Sequence, residues 1–358
     1  MVKGLKICYL LESTELCGGV RVVFDQARAL QKRGHLVHIL AFFGDHEWYP
    51  YDVNVTYLKG TFDLPNQPYY DIVIATFWTT VEKALKMNVR TIFHLCQGYE
   101  GDTIEYANIL QEIERVYRLP ITKITIGQWL TDRLVSIYLK RYFDIFTVGQ
   151  IVDCRLYRPK NIIKRSLLQK GRINILIVGA FEYSVKGIAD AIKAVEIVRK
   201  KGYKIYLMRV SYTRLSKEEM AITEINEYHQ KVSPIKMREL YHSAHIFVSP
   251  SLENEGFGLP FVEALACGVP SVVTAIPSYL SLDMKRDYAL FVPQKSPLEI
   301  AKALEELINR PFKRLYLSIR GIRAVKNRFT SSVVGKRLEE IFLKHVENDR
   351  SEGGVNSM

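Results

Sequence analysis

Two carboxylates frame a glycine-containing turn in residues 251–265, SLENEGFGLPFVEAL. Glu255 directly precedes this turn, and Glu263 follows after seven intervening residues. Glycine has no side chain, so the backbone amides of such a turn can approach a ligand closely. Proline is well tolerated at the first position of a helix. Pro260 therefore predicts a helix that begins there, with Glu263 in its first turn.

The turn amides and the positive end of the predicted helix together suit a phosphate. Two carboxylates cannot serve the same phosphate because like charges repel, and hydroxyl groups beside it are their natural targets. A ligand with hydroxyls at both ends and phosphates between them is a nucleotide sugar. We therefore predict that Glu255 binds the sugar, Glu263 binds the ribose, and the turn amides bind the diphosphate. The turn consists of Gly256, Phe257, Gly258 and Leu259.

A simpler interpretation of the two acids stays open. A carboxylate in the first turn of a helix interacts favourably with the helix dipole whether or not a ligand binds. Glu263 would then be a helix-stabilising acid, and Glu255 a solvated loop residue.

The elements around this turn alternate short β-rich runs with helical segments, a pattern typical of parallel α/β sheets. One series runs from LKICYLL to RTIFHLC and a second from INILIVG to VPSVVTA. This pattern predicts two doubly wound Rossmann-like domains, residues 1–155 and 173–330, joined by a linker of residues 156–172. We expect a helix over 331–348 that packs back toward the first domain, and a disordered tail over 349–358.

Composition narrows the class of protein. Of the 358 residues, 48% are hydrophobic and 25% are charged, which is typical of a soluble globular chain. The five cysteines are scattered, so they favour a reducing cytoplasm over a disulfide framework or a zinc site. The first residues resemble a strand and not a signal peptide. No apolar run approaches the ~18 residues needed to cross a bilayer, so we predict a cytoplasmic protein that meets a membrane only at its surface.

The net charge of +12 is unevenly distributed. Residues 1–150 contain 16 Lys and Arg and 16 Asp and Glu, so the whole excess lies in the second half. Residues 309–338 contain no acid. Such a run is either a solvated helix face or a surface for anionic lipid head groups or a lipid-diphosphate acceptor. Nucleic acid is not expected as a partner because no nucleic-acid-binding motif accompanies the charge.

A family resemblance adds to these predictions. Residues 250–275, PSLENEGFGLPFVEALACGVPSVVTA, resemble the signature segment of the family 4 retaining glycosyltransferases, in which two glutamates separated by seven residues bracket a glycine-containing loop. The resemblance implies a GT-B fold, with two Rossmann-like domains facing across a cleft and C-terminal helices. It also implies retaining transfer of a sugar from a nucleotide-diphosphate donor to a glycan or lipid-linked acceptor, as in polysaccharide biosynthesis.

The same resemblance implies further site residues. Gly18 and Gly19 fall where the donor phosphates meet the first domain, and Lys186 falls where a lysine contacts the diphosphate. The histidine that ends a first-domain strand in this family corresponds to either His94 or Gln97.

The chain also departs from the family pattern. The arginine that usually follows the glycine of the VG strand is replaced by Ala180. Either one phosphate contact is missing, or another basic residue such as Arg209 supplies it.

No Asp-x-Asp pair is present in the sequence. We therefore expect no metal and no cofactor besides the nucleotide-sugar co-substrate, with the leaving diphosphate stabilised by Lys186, loop amides and the helix end. Three alternatives stay open: a GT-B phosphorylase, an epimerase, and a nucleotide-sugar-binding protein with little or no activity. A dinucleotide oxidoreductase is not favoured because no strand–Gly-x-Gly-x-x-Gly–helix element occurs.

Overall fold

The computed structural model describes residues 4–58, 69–87, 89, 91–102, 104–138, 143–168, 171–253 and 255–353. The chain divides into two compact units. Met1–Ile151 and Ser331–Met358 form the first unit, and Val152–Thr330 form the second. The helix predicted over 331–348 continues to Gly353, so residues 349–353 of the tail predicted to be disordered are helical, and residues 354–358 lie outside the described residues.

The first unit contains a parallel sheet of seven strands. The strands are Lys6–Ser13 (β1), Leu36–Phe43 (β2), Val55–Tyr57 (β3), Ile72–Ala75 (β4), Thr91–Cys96 (β5), Thr122–Thr125 (β6) and Ile145–Thr147 (β7). Its first four α-helices are Gly18–Gln31 (α1), Trp78–Leu85 (α2), Leu110–Tyr117 (α3) and Gln128–Tyr138 (α4). The central strands are continuous apolar runs because helices cover both faces of such a sheet. In β4 every residue is buried.

The second unit contains a parallel sheet of six strands. The strands are Ile173–Val178 (β8), Ile205–Ser211 (β9), Glu227–Gln230 (β10), Ile246–Ser249 (β11), Ser271–Thr274 (β12) and Leu290–Val292 (β13). The helices are Ile162–Leu167 (α5), Ile188–Lys200 (α6), Lys217–Ile222 (α7), Pro234–Ser243 (α8), Leu259–Ala266 (α9), Pro277–Leu280 (α10), Pro297–Asn309 (α11) and Pro311–Arg328 (α12). One face of the sheet forms a core with α6 and α11 through side chains such as Ile175, Val195 and Leu304.

Strand order reverses once in each sheet. The first sheet runs β3-β2-β1-β4-β5-β6-β7, and the second runs β10-β9-β8-β11-β12-β13. The loops that follow β1 and β4, and those that follow β8 and β11, therefore diverge at the carboxyl edge and leave a crevice there. The predicted fold class of two doubly wound parallel α/β domains is confirmed.

The segment predicted as a linker, 156–172, includes α5, which lies within the second unit. Arg165 of α5 is buried, and its guanidinium donates hydrogen bonds to the carbonyl oxygens of Tyr241, Cys267 and Gly268. These bonds attach the segment to α8 and to the end of α9.

The last helix, Ser331–Gly353 (α13), belongs to the first unit. It packs closely on α1, where a Cβ built on Gly335 would lie 3.2 Å from the Cβ of Ala29. Glu339 of α13 accepts a 2.9 Å hydrogen bond from Arg33 Nε and lies 3.0 Å from His35 Nε2.

One helix differs from its prediction. The apolar spacing over 103–119 predicts a continuous α-helix, but Ile104–Ile109 form a 3₁₀-helix before α3 begins.

Candidate active site

Lys186 and Glu255 meet at the carboxyl edge of the second sheet. Lys186 lies in the loop after β8, and Glu255 lies in the loop after β11, the strand beside it at the point of reversal. Lys186 Nζ lies 2.6 Å from Glu255 Oε2. Ligands of doubly wound sheets bind at this kind of position, so the fold brings the pair to the expected place.

The backbone holds the two loops together. Leu252 N donates a 2.7 Å hydrogen bond to Val185 O, one residue before Lys186. Gly187, the residue directly before α6, has a left-handed conformation with φ of +59°. A Cβ built on Gly187 would overlap the carbonyl oxygen of Pro250. Only glycine fits at this crossing, and it fixes Lys186 beside the glutamate loop.

Glu255 is much less exposed to solvent than its partner Lys186. The Glu255 side chain is 9% exposed, whereas that of Lys186 is 31% exposed. A buried carboxylate needs a partner because its desolvation is costly, and the ammonium supplies that partner. Since Lys186 still reaches solvent, it can contact an incoming anion as well.

The glycine turn leads into α9 through Gly258, which has a φ of +71°. A Cβ there would overlap the ring of Tyr279. The helix begins at Leu259, not at Pro260, so the prediction that Glu263 lies in the first turn is wrong. The physical reason is that a left-handed glycine can cap the helix and let it start one residue earlier.

Glu263 is a buried residue of α9, and its carboxylate accepts a 3.1 Å hydrogen bond from the hydroxyl of Tyr241. Burial and then the negative charge of Glu263 raise the pKa of Tyr241 well above its ordinary value, so the tyrosine remains a hydrogen-bond donor. In this conformation the carboxylate is positioned by Tyr241. The predicted contact of Glu263 with a ribose stays a prediction.

Phe257 fixes the middle of the turn. Its side chain is buried, and its ring lies 5.2 Å from that of Phe329 in an edge-to-face arrangement. This side chain therefore faces the protein, which leaves the backbone of the turn as the part able to meet a ligand.

Arg209 has a structural role in this geometry. Its side chain is fully buried, with Nε 2.5 Å from Glu219 Oε1. Its other nitrogens donate to the carbonyl oxygens of Ile177 at 2.8 Å and Gly179 at 2.9 Å. All these bonds connect β8, β9 and α7 within the protein. The geometry argues against Arg209 as the substitute phosphate contact that we considered from the sequence.

The two candidates for the family histidine position lie in different environments. His94 is buried inside β5, where burial and the positive charge of Lys123 hold its pKa well below 6.5. Gln97 follows the strand and is half-buried. Its Nε2 donates a 3.1 Å hydrogen bond to the carbonyl oxygen of Gly19. Of the two, Gln97 is the residue beside the glycine loop, and its amide can bind a hydroxyl but cannot transfer a proton.

Gly18 and Gly19 are the first residues of α1. The helix is capped by Cys17, whose Sγ accepts a 3.5 Å hydrogen bond from Val20 N. The structure places both glycines at the carboxyl edge of the first sheet, after β1.

Two further features were not predicted from the sequence. Gly187 follows Lys186 in the sequence, but only the tertiary approach of Pro250 shows why it must be glycine. The Tyr279 hydroxyl lies 2.7 Å from Ser249 Oγ and donates to Ser251 Oγ at 3.0 Å, which supports the start of the glutamate loop. No local pattern signals this contact, because the partners are about thirty residues apart.

Within the described ranges, no helix has both the length and the apolar character to cross a membrane. The same residues contain no group of three or more His, Cys, Asp or Glu side chains placed to hold a metal ion.

Two doubly wound parallel units, with a lysine and a glutamate paired at the carboxyl edge of the second, agree with the GT-B fold class that the resemblance implies. Residues 172–310 match the family model described as Glycosyl transferases group 1. This match spans less than half of the chain and shows that residues 172–310 are similar to group 1 glycosyltransferases, as the resemblance implies. Membership of family 4 stays a prediction.

A curated relative supports the same class. The capsular polysaccharide biosynthesis glycosyltransferase CapM of Staphylococcus aureus is 28% identical over 173 residues, which cover 45% of this chain and 44% of CapM. The chain therefore spans less than half the length of this relative.

Two solved structures share the fold. A glycosyltransferase from Rickettsia africae ESF-5 has a TM-score of 0.72 at 16% identity and covers 96% of this chain and 98% of its own. Anabaena HepE, solved with UDP and glucose, has a TM-score of 0.72 at 13% identity and covers 95% of this chain and all of its own. These likenesses confirm the predicted GT-B fold class.

Proposed function

We propose that this chain is a retaining, hexosyltransferase-type glycosyltransferase that uses a nucleotide-diphosphate sugar. The observation that carries the proposal is the 2.6 Å pair of Lys186 and Glu255. It lies at the strand-order reversal of the second unit, within the residues that match group 1 glycosyltransferases.

The donor roles follow from the chemistry of each group. Lys186 and the backbone amides of residues 256–259 bind the diphosphate, Glu255 binds the sugar, and Glu263 binds the ribose. HepE was solved with UDP-glucose, so a uridine diphosphate hexose is the first donor to test. The roles of Gly18, Gly19 and Gln97 remain those inferred from the family resemblance.

The reaction breaks the bond between the anomeric carbon and the diphosphate oxygen, and forms a bond from that carbon to an acceptor oxygen. Negative charge develops on the departing diphosphate, and the Lys186 ammonium lies where it can stabilise that charge. Glu255 holds the ammonium in place and, with its own negative charge, favours an oxocarbenium-like state. The acceptor attacks on the face of the leaving group, and its proton passes to the departing phosphate oxygen. In this scheme no metal is needed.

The proposed acceptor is a glycan or a lipid-linked saccharide, handled in the cytoplasm or at the inner face of a membrane. The name of the CapM relative, which refers to capsular polysaccharide biosynthesis, supports a role in making a polysaccharide.

A panel of UDP, GDP and ADP sugars tests the proposal. A true donor raises the Tm by binding the folded state, and nucleoside diphosphate is then released in the presence of chelator. The configuration of the product is read by NMR. Lys186→Ala should lower the rate of release by roughly 100-fold or more, and Lys193→Ala, which removes an exposed lysine of α6, is the matched control.

A second candidate is a nucleotide-sugar-binding protein of low activity. Ala180 replaces the usual arginine, and the burial of Arg209 and its bonds within the protein argue against this residue as a substitute contact. Donor binding without release of nucleoside diphosphate under any condition would support this candidate. Phosphate-dependent sugar release would indicate a phosphorylase, and an inverted sugar centre without acceptor would indicate an epimerase.

A further inference from the structure

Helix α12 has an exposed stripe that the proposed donor site does not use. Its members are Phe312, Tyr316, Ile319, Arg323 and Lys326. They are separated alternately by four and three positions, so they lie on one face of the helix. Phe312 is 76% exposed, and Tyr316 and Ile319 are 47% and 45% exposed. The stripe therefore has a large apolar part followed by a cationic part.

The opposite face of α12 packs into the second unit. Leu317, Gly321 and Val325 are buried, and a Cβ built on Gly321 would lie 2.8 Å from Leu265 Cδ2 of α9. The close approach of α9 fixes the rotation of α12. The stripe accordingly faces away from the core, and its apolar side chains are not needed to fill that core.

A neighbouring loop extends this surface. Met284 is 80% exposed, and Lys285 and Arg286 beside it are also exposed. The acids of the loop are attached to α12, because Asp287 lies 2.8 Å from Arg320 Nε and Asp283 lies 3.1 Å from Arg328 Nη2.

These ion pairs leave the exposed side of α12 and the neighbouring loop with a net positive charge. Arg320 neutralises Asp287 and Arg328 neutralises Asp283, and α12 itself contains no acid. Four exposed cations, Lys285, Arg286, Arg323 and Lys326, thus lie on the same helix face and loop as four exposed apolar side chains. The surface formed by the stripe and residues 284–286 is called the α12 surface below.

Exposed aromatic and aliphatic side chains bordered by Lys and Arg suit the interface of an anionic bilayer. The apolar groups enter the boundary of the acyl chains, while the cations pair with lipid phosphates. A purely apolar patch would fit a protein partner equally well, but the uncompensated positive charge selects an anionic one. We propose that the α12 surface docks this protein on an anionic lipid membrane, lying on the bilayer without crossing it.

The α12 surface would supply the membrane contact for which the proposed function names no residues. Membrane docking does not depend on the proposed sugar transfer. Only the idea that docking brings the enzyme to a lipid-linked acceptor rests on the proposed function. Docking itself can be measured without donor or acceptor, so failure of docking and failure of the proposed activity are distinguishable.

The test is flotation of the full chain with vesicles of phosphatidylcholine alone or with one third phosphatidylglycerol, at low and high salt. We expect binding to the anionic vesicles that falls steeply with salt. Each basic residue near such a surface contributes about fivefold to partition. The double variant Arg323→Glu/Lys326→Glu is therefore expected to lose about 25-fold or more. Phe312→Ser/Ile319→Ser is expected to lose about tenfold.

Matched controls are Lys193→Glu/Lys200→Glu on α6 and Ile235→Ser on α8, all exposed positions of the same unit. These variants should bind as the original protein does, and all variants should keep its Tm. The proposal is overturned if the anionic vesicles are not bound, or if the control and α12 variants lose binding equally. It is also overturned if the α12 variants convert a dimer to a monomer in light scattering while vesicle binding is unchanged, since the surface would then bind a second copy.

Discussion

Lys186 and Glu255 are 69 residues apart in the chain, yet Lys186 Nζ lies 2.6 Å from Glu255 Oε2. The pair is made by two loops that follow adjacent strands and are joined by the Leu252–Val185 backbone hydrogen bond. Because the glutamate is the less exposed partner, the lysine determines whether a buried negative charge is compensated.

Removal of either partner should reduce turnover much more than stability. We expect Lys186→Ala or Glu255→Gln to lower kcat by roughly 100-fold or more, because a positioned group that stabilises developing charge is lost. Lys186→Ala should also cost about 1–3 kcal/mol of unfolding free energy, since it leaves Glu255 buried without its partner. Steady-state kinetics and urea unfolding measure both effects. If turnover is the same as in Lys193→Ala, the assignment of the pair is wrong.

Replacement by alanine should have different effects at Gly258 and at Gly256, although both lie in the same turn. Gly258→Ala requires a left-handed alanine and overlaps Tyr279, so we expect a loss of about 3 kcal/mol in unfolding free energy. At Gly256 nothing lies within 4 Å of an added Cβ. Gly256→Ala should therefore keep the Tm while weakening donor binding by crowding the backbone. Calorimetric unfolding and donor titration separate the two, and equal Tm values for both variants would contradict the prediction.

Arg209 should matter for stability and not for the donor. Arg209→Met leaves the carboxylate of Glu219, which is 1% exposed, without its ion-pair partner. We expect a loss of about 3–5 kcal/mol in unfolding free energy, partly restored in Arg209→Met/Glu219→Gln. Donor KM in the surviving folded fraction should be unchanged. A normal Tm with a raised KM would instead make Arg209 a donor contact.

The protonation of His94 should contribute to acid sensitivity. Its folded-state pKa lies well below 6.5 because burial and Lys123 disfavour the imidazolium. As pH falls, His94 is protonated in the unfolded chain before it is protonated in the folded protein. The contribution of neutral His94 to the unfolding free energy is therefore fully present above about pH 6.5 and declines as pH falls toward the folded-state pKa. We expect His94→Phe to show a smaller loss of unfolding free energy between pH 7.5 and pH 5 than the original protein. The same pH dependence in both would show that His94 is not buried neutral.

The pH dependence of kcat tests the roles of His94 and Gln97 independently of stability. Since His94 stays neutral over the assay range, it should add no ionisation to kcat between pH 6 and pH 8. Gln97→Leu removes the hydrogen bond to Gly19 and should lower kcat without changing the shape of the profile.

Local pattern was enough to predict most elements of this protein. Alternating apolar strands and amphipathic helices are set by side-chain periodicity, and this fixes the parallel α/β class before any tertiary contact is known. The glutamate loop could also be found, since its glycines and acids are adjacent in the chain. The helix start at Leu259 could not be predicted, because it depends on the left-handed conformation of Gly258 against Tyr279.

The sequence by itself determined the residue types of the candidate site and the succession along the chain of the strands and helices that carry them. Only the tertiary structure decided which charged groups are paired: Lys186 with Glu255 near the surface, and Arg209 with Glu219 inside. The physical reason is that hydrophobic periodicity is a local property. Burial and ion pairing depend instead on which distant segments the packed sheet brings within a few ångströms of one another.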